Sequence, residues 1–154
     1  MNTKLIGAVA ALAILAGCSG RQEQQAAQTG GGSTIRPGSQ EDLVANVGDR
    51  VFFDFDSSAV RGDQRPTLER QSAWMQRYPQ VQVQVEGHAD ERGTREYNLA
   101  LGQRRANAAR DVLVAGGVAG ARISTISYGK DRPAALGSNE EAWAQNRRAV
   151  TVVQ

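Results

Sequence analysis

Side chains that bind metals or form cross-links are scarce in this sequence. Among its 154 residues, Cys18 is the single cysteine and His88 the single histidine. One cysteine cannot close a disulfide within the chain, and one cysteine with one histidine cannot supply the four ligands of a structural zinc site. We therefore predict no metal and no cofactor, and we expect His88 to orient a loop by hydrogen bonding.

Dense clusters of positive charge are also missing. The formal net charge is +2, and the sequence contains no lysine- or arginine-rich block with interleaved aromatic residues. Nucleic-acid-binding proteins carry such basic patches because contacts to the phosphate backbone dominate their affinity. The sequence therefore predicts no nucleic-acid partner.

The N-terminal hydrophobic run is too short to span a bilayer. It extends from Leu5 to Gly17, whereas a transmembrane helix needs roughly 20 apolar residues, so residues 1–17 are predicted to be a signal peptide. The tetrapeptide that ends at Cys18 is similar to a bacterial lipobox, in which the cysteine is lipidated and becomes the mature N-terminus. Ser19 in the next position favours the outer membrane. The alternative is an ordinary secreted protein with a cysteine near its cleavage site.

Residues 18–40 contain almost no large apolar side chains. Gln, Gly and Ser dominate this stretch, and Ile35 is its one large aliphatic residue. Such a composition cannot bury enough surface to order itself, so we predict a lipidated N-terminus and a flexible tether that averages roughly 25 Å from end to end. The remaining residues, 41–154, suit one domain with a single core.

Periodic hydrophobicity predicts alternating strands and helices in residues 41–154. The clearest strand has Val81, Val83 and Val85 on one face and polar side chains on the other, as in a sheet covered on one side. A long helix over 95–115 carries Gly102 in a narrow apolar stripe that can approach a sheet closely. The other predicted elements are strands over 50–55, 122–129 and 147–154, a helix from Pro66 to Pro79, and a short helix opened by Ser138 or Asn139. The predicted fold class is α/β (α+β): a two-layer sandwich in β-α-β-α-β-(α)-β order, with a mixed four-stranded sheet and helices on one face.

The stretch VFFDFDSSAV, residues 51–60, ends its predicted strand with two aspartates. It superficially resembles the first motif of the haloacid dehalogenase-like phosphatases, with Asp54 as phosphoryl acceptor and Asp56 as acid/base. Ser58 stands where that motif has Thr or Val, and Lys130 is the one lysine after the signal peptide. We therefore predict that the chain is not an enzyme. A calcium site without EF-hand spacing is a further alternative, and its ligands would be Asp54, Asp56, Asp90 and Glu91.

A binding site for a zwitterion accounts better for the polar residues after the clearest strand. Asn98, Leu101 and Arg105 are spaced i, i+3 and i+7 in the predicted long helix, so they share one face. Asp90 lies in the strand-end loop before that helix. Arg105 can grip a carboxylate with two parallel hydrogen bonds, and Asp90 can take an ammonium. The alternative is a purely structural Asp90–Arg105 ion pair in a periplasmic protein-interaction module.

The stretch VEGHADERGTREYNLALGQRRANAARDVL, followed by SYGKDRPAALGSNEEAWAQNRRAV, resembles the OmpA-like peptidoglycan-binding domain. The resemblance covers the chain from about Val51 to the C-terminus, and it implies a site for the diaminopimelate of the peptidoglycan stem peptide. The implied binding residues are Asp90, Arg105, Asn98, Leu101, Phe55 and Asp56, the last two through backbone N–H groups that hold a ligand carboxylate. Ala89 departs from the family pattern, since many such domains have Thr there, and we interpret it as a subtype feature.

The resemblance also implies partners and a location. Lipid-anchored members of this family face the periplasm from the outer membrane and belong to the Tol envelope system, which supports outer-membrane integrity and constriction at cell division. In that system they bind TolB in competition with the wall. The sequence itself shows no surface for TolB, and we interpret Arg92 and Arg95 as solvated charges.

Overall fold

Four strands form one mixed sheet in the part of the chain that the structure describes. The computed structural model describes residues 34–154, so the predicted signal peptide, Cys18 and most of the predicted tether lie outside the described residues. The strands are β1 (Arg50–Phe52), β2 (Val83–His88), β3 (Ile123–Gly129) and β4 (Arg148–Val153). Their order is β1-β4-β2-β3, with β4 antiparallel to β1 and β2, and β2 parallel to β3. The predicted mixed four-stranded sheet is confirmed.

Helices connect these strands. Within residues 34–154 they are α1 (Gln40–Asn46), α2 (Arg65–Arg77), α3 (Arg95–Ala115) and α4 (Glu140–Asn146), and a 3-10 turn covers Gly120–Arg122. Asn139 caps α4 by accepting a hydrogen bond from the Ala142 N–H at 2.9 Å, so the second of the two predicted starts is the one used. None of the helices in this part of the chain has the length and apolar character to cross a membrane.

Helix α1 is not predicted by the sequence pattern. Ser39 caps it by accepting the Asp42 N–H, and the Asp42 carboxylate accepts the indole N–H of Trp74 at 3.0 Å. The side chain of Gln40 accepts the N–H of Val153, at the end of β4, at 2.7 Å. A helix of 7 residues is too short to be stable alone, so these contacts to distant parts of the chain stabilise it.

Strand β1 is shorter than predicted, since it ends at Phe52 rather than Phe55. Phe53 still donates its N–H to the Arg147 carbonyl at 2.9 Å. At Asp56, however, the backbone takes a φ of 51°, a left-handed conformation that a strand cannot contain. Residues 54–57 therefore form a turn at the end of the sheet.

The hydrophobic core lies between the sheet and helices α2 and α3. Val81, Val83 and Val85 are at most 7 % exposed, whereas Gln82 is exposed and Gln84 half-buried, as the predicted alternation requires. The other core residues include Leu43, Phe53, Leu68, Met75, Ala106, Ala109, Leu113 and Ile123. Because this core lies entirely within the described residues, we expect residues 34–154 to fold on their own.

Helix α3 crosses β2 at very short range. A Cβ atom placed on Gly87 would lie 1.7 Å from the carbonyl oxygen of Gly102, and one placed on Gly102 would lie 2.9 Å from the carbonyl oxygen of Gly87. A residue without a Cβ atom is therefore required at both positions. The predicted close approach of Gly102 to the sheet is confirmed, and it places the first turns of α3 beside the loop that contains Asp90.

Candidate functional site

A cavity of about 200 Å³ lies between the turn after β1, the loop after β2 and the first turns of α3. Its lining residues are Phe55, Asp56, Asp90, Arg92, Gly93, Tyr97, Asn98, Leu101 and Arg105. All six peptidoglycan-binding candidates from the sequence are among them. The fold thus brings three separate segments of the chain to one opening. The identity of the ligand that binds there stays a prediction.

Arg105 is the most buried cation of the cavity and holds its walls together. The side chain is 0 % exposed, and its guanidinium donates to the carbonyl of Ser57 at 2.8 Å, of His88 at 2.8 Å and of Asp54 at 3.0 Å. Burial lowers the pKa of Arg105 to about 10, although nearby Asp90 acts in the opposite direction. Arg105 therefore stays charged at neutral pH and fixes the turn after β1 to the end of β2.

Asp90 does not form the ion pair with Arg105 that the sequence suggested as an alternative. Its carboxylate accepts the Arg92 Nη2 at 2.7 Å and the Arg92 Nε at 3.2 Å, and Arg147 Nη1 lies 3.5 Å away. Burial raises the pKa of Asp90, but the hydrogen bonds and charge of Arg92 and Arg147 outweigh it, so this pKa lies below its ordinary value. The alternative of a structural Asp90–Arg105 pair is wrong, because the guanidinium groups that bond Asp90 are those of Arg92 and Arg147.

The turn after β1 contributes Phe55 and Asp56 to the lining of the cavity. Phe55 is 59 % exposed, and the N–H groups of Phe55 and Asp56 have no acceptor among the residues that the structure describes. The Tyr97 hydroxyl donates to the Asp56 carboxylate, and this hydrogen bond is the main cause that raises the pKa of Tyr97. Tyr97 therefore links the turn to the first turn of α3.

Arg92 is not the solvated charge that the sequence suggested. Its guanidinium lies 3.9 Å from the ring centroid of Phe55 and 4.0 Å from that of Trp143, within the range of cation–π contacts. The Trp143 indole in turn donates to Glu91 at 3.0 Å. The spacing of Asp90 and Arg92, two residues apart in one loop, is the only local signal for this arrangement. Trp143 comes from α4, and no local pattern identifies it.

Asn98 and Leu101 support the cavity from α3. Asn98 is 2 % exposed and donates its side-chain amide to the Arg92 carbonyl at 2.9 Å. Leu101 is 4 % exposed and gives the cavity an apolar wall. Asn98 therefore fixes the loop after β2, whose reversal uses Gly93 at a φ of 96°.

The four carboxylates considered as calcium ligands do not converge. Within residues 34–154, no three side chains among His, Cys, Asp and Glu lie close enough to hold a metal ion. Asp54 instead bonds Arg61 at 3.3 Å, and Asp90 bonds Arg92. The calcium alternative is therefore wrong for these residues.

His88 lacks the side-chain hydrogen bond expected from the sequence. Both ring nitrogens are buried without a partner among the described residues, and the Glu86 carboxylate lies 3.7 Å from Nε2. It is the backbone carbonyl of His88 that takes part in the site, as an acceptor for Arg105. Burial, with contributions from the charges of Arg148 and Arg132, lowers the pKa of His88 to about 4.

This buried histidine is expected to make the domain less stable in acid. Between about pH 6.5 and about pH 4 the unfolded chain binds a proton that the folded domain excludes, so stability falls as the pH drops through this window. With about 1.4 kcal/mol for each pKa unit, His88 accounts for a loss of about 3 kcal/mol. Chemical denaturation at several pH values should show a shallower acid loss for His88→Phe, whereas parallel curves for the two proteins would contradict the assignment.

Comparison with known proteins shows the family to which this chain belongs. The OmpA family model matches residues 52–147. A peptidoglycan-associated lipoprotein of Mesorhizobium japonicum is 55 % identical over 155 residues, which cover 99 % of this chain and 92 % of that protein. One of Agrobacterium fabrum is 52 % identical, with 99 % of this chain and 88 % of that protein covered.

A solved structure gives the same result. The crystal structure of the peptidoglycan-associated lipoprotein from Burkholderia pseudomallei superposes with a TM-score of 0.69 at 42 % identity, and the match covers 73 % of this chain and 100 % of that one. The resemblance stated from the sequence is thereby confirmed. The chain belongs to the OmpA family and, within it, to the peptidoglycan-associated lipoproteins.

Proposed function

We propose that this chain is an outer-membrane lipoprotein that binds peptidoglycan non-covalently through the diaminopimelate of the stem peptide. As a member of this family it is a binding protein and not an enzyme. The observation that carries the proposal is the cavity, which is lined by a buried carboxylate, a buried guanidinium and a turn whose backbone N–H groups have no acceptor among the described residues. At about 200 Å³ it is smaller than a drug-sized pocket and suits the end of one side chain.

Diaminopimelate offers the complementary groups. It differs from lysine by one carboxylate, so the tip of its side chain carries an ammonium and a carboxylate on a single carbon. A guanidinium has five N–H donors, and Arg105 uses three of them on carbonyls, which leaves two for a ligand carboxylate. The N–H groups of Phe55 and Asp56 add further donors, and Asp90 takes the ammonium.

These donors explain a preference for diaminopimelate over lysine. If lysine bound, the buried donors that the extra carboxylate satisfies would stay unpaired. Each such unmade hydrogen bond costs about 1–3 kcal/mol, and a site built to bond a polar group rejects an analogue that lacks it. Asn98 and Leu101 contribute shape, since one fixes the loop and the other forms the apolar wall.

The anchor completes the proposal. Residues 1–17 serve as a signal peptide, Cys18 carries the acyl chains, and the polar segment up to residue 40 spans from the membrane to the wall-binding domain. Two or more acyl chains give stable anchoring where one is marginal. In this role the chain links the outer membrane to the wall as part of the Tol-Pal system, with TolB as a protein partner, and supports constriction at cell division.

Co-sedimentation with diaminopimelate-type peptidoglycan sacculi tests this function. Wild-type protein is expected to sediment with sacculi, and Asp90→Asn is expected to lose affinity by about thirtyfold or more, since truncating a charge in a buried ion pair costs about 2 kcal/mol or more. Arg95→Gln is the matched control, because Arg95 bonds the exposed Asp131 at 2.9 Å and does not line the cavity. A wild-type domain that stays in the supernatant would refute the proposal.

A further inference from the structure

The carboxylate that would receive the ligand ammonium already has a cation bound to it. Arg92 approaches Asp90 through Nη2 at 2.7 Å and through Nε at 3.2 Å. The guanidinium is also stacked between the rings of Phe55 and Trp143. An ammonium that arrives at Asp90 must therefore compete with a cation of the protein itself.

Arg92 is the more easily displaced of the two arginines at Asp90. The side chain of Arg147 is 7 % exposed, and it has other partners in the Phe53 carbonyl at 3.0 Å and the Glu140 carboxylate at 2.5 Å. The side chain of Arg92 is 31 % exposed. The distance from Arg92 Nη2 to the Glu140 carboxylate is longer, at 4.0 Å, and that carboxylate is already bonded by Arg147.

We propose that Arg92 is an exchangeable counter-ion that makes the cavity selective for a ligand with an ammonium and a carboxylate on the same carbon. This inference rests on the proposed function. The ligand ammonium replaces the Arg92 guanidinium at Asp90, and the released guanidinium pairs with the adjacent ligand carboxylate. The one ion pair broken between Asp90 and Arg92 is replaced by two, so the exchange costs little.

A lysine side chain can complete only half of this exchange. Its ammonium displaces Arg92 from Asp90, but it brings no carboxylate for the released guanidinium. One ion pair at Asp90 is then merely exchanged for another, while Arg92 is left unpaired close to a second cation, which is unfavourable. Arg92 thus disfavours the binding of lysine as well as favouring that of diaminopimelate. Its effect on lysine is separate from that of the donors of Arg105 and the turn, which lysine would leave unpaired.

The test compares two stem peptides, one with diaminopimelate and one with lysine, on residues 34–154 by calorimetric titration. Arg92→Gln removes the internal cation, so affinity for the lysine peptide is expected to rise by about tenfold, while affinity for the diaminopimelate peptide falls or is unchanged. The ratio of the two affinities should therefore shrink by about tenfold or more. Arg92→Lys keeps a cation at this position and should restore much of the ratio, and Arg95→Gln should leave it unaltered.

The outcomes separate this inference from the function on which it rests. If Arg92→Gln weakens both peptides by the same factor, Arg92 only positions the loop and the inference is wrong while the function stands. If it leaves both affinities unchanged, the inference is likewise wrong. If the wild-type domain binds neither peptide, the proposed function and the inference both fail. Thermal unfolding of each variant establishes that the compared proteins are folded.

Discussion

Replacing Arg105 by methionine is expected to lower the free energy of unfolding by about 4 kcal/mol and to abolish binding to the diaminopimelate peptide. The side chain is 0 % exposed, and its N–H groups satisfy the carbonyls of Ser57, His88 and Asp54. Methionine fills a similar length of space but removes all three donors. The Asp54 carbonyl keeps the Ser57 N–H at 3.3 Å, and each buried acceptor left unsatisfied costs about 1–3 kcal/mol. A loss of this size is large beside a total stability of about 5–15 kcal/mol.

Two further variants separate charge from geometry at this position. Arg105→Lys keeps the charge but lacks the planar fork that reaches several carbonyls, so we expect about half of the stability loss and no measurable binding. Arg104→Met, at the exposed neighbouring position, should stay within about 0.5 kcal/mol of wild type. Chemical denaturation measures all three. An Arg105→Met variant within about 1 kcal/mol of wild type would mean that the guanidinium does not support the cavity.

Replacing Gly87 by alanine is expected to destabilise the domain by more than about 3 kcal/mol, because the new methyl group overlaps a backbone atom. The added Cβ atom would lie 1.7 Å from the Gly102 carbonyl oxygen, and the three nearest atoms all belong to the Gly102 backbone, which cannot rotate aside as a side chain can. Helix α3 must shift away from the sheet, and it carries Asn98, Leu101 and Arg105 with it. Binding is therefore expected to fall along with stability.

Gly62→Ala is the matched control for this substitution, since no atom lies within 4 Å of the Cβ position at Gly62. Denaturant unfolding should show Gly62→Ala close to wild type and Gly87→Ala far below it. Equal stability of the two variants would show that α3 does not cross β2 as closely as the structure indicates.

The sequence predicted those parts of the fold that depend on local periodicity. The valines of β2 alternate with polar residues because one face is buried, and the small residues of α3 mark a helix that approaches the sheet. Helix α1 was beyond such reasoning, because its stability depends on Asp42 bonding Trp74 and on Gln40 bonding the end of β4. The early end of β1 depends on the left-handed backbone at Asp56.

The candidate site shows the same division. The family motif identified six residues that the fold brings to one cavity, but it did not identify their hydrogen-bond partners. Asp90 faces Arg92 and Arg147, and the second of these lies 57 positions later in the chain. The stacking of Arg92 on Trp143 likewise joins the loop after β2 to α4. Contacts between distant segments depend on the complete fold, so spacing alone could not predict them.

The most direct test of the central claim is a calorimetric titration of residues 34–154 with a diaminopimelate-containing stem peptide and with its lysine analogue. We expect saturable binding of the first peptide and at least about tenfold weaker binding of the second, since one lost hydrogen bond to a buried donor suffices for that ratio. Equal affinity for both peptides, or no binding of either, would contradict the claim that this cavity recognises diaminopimelate.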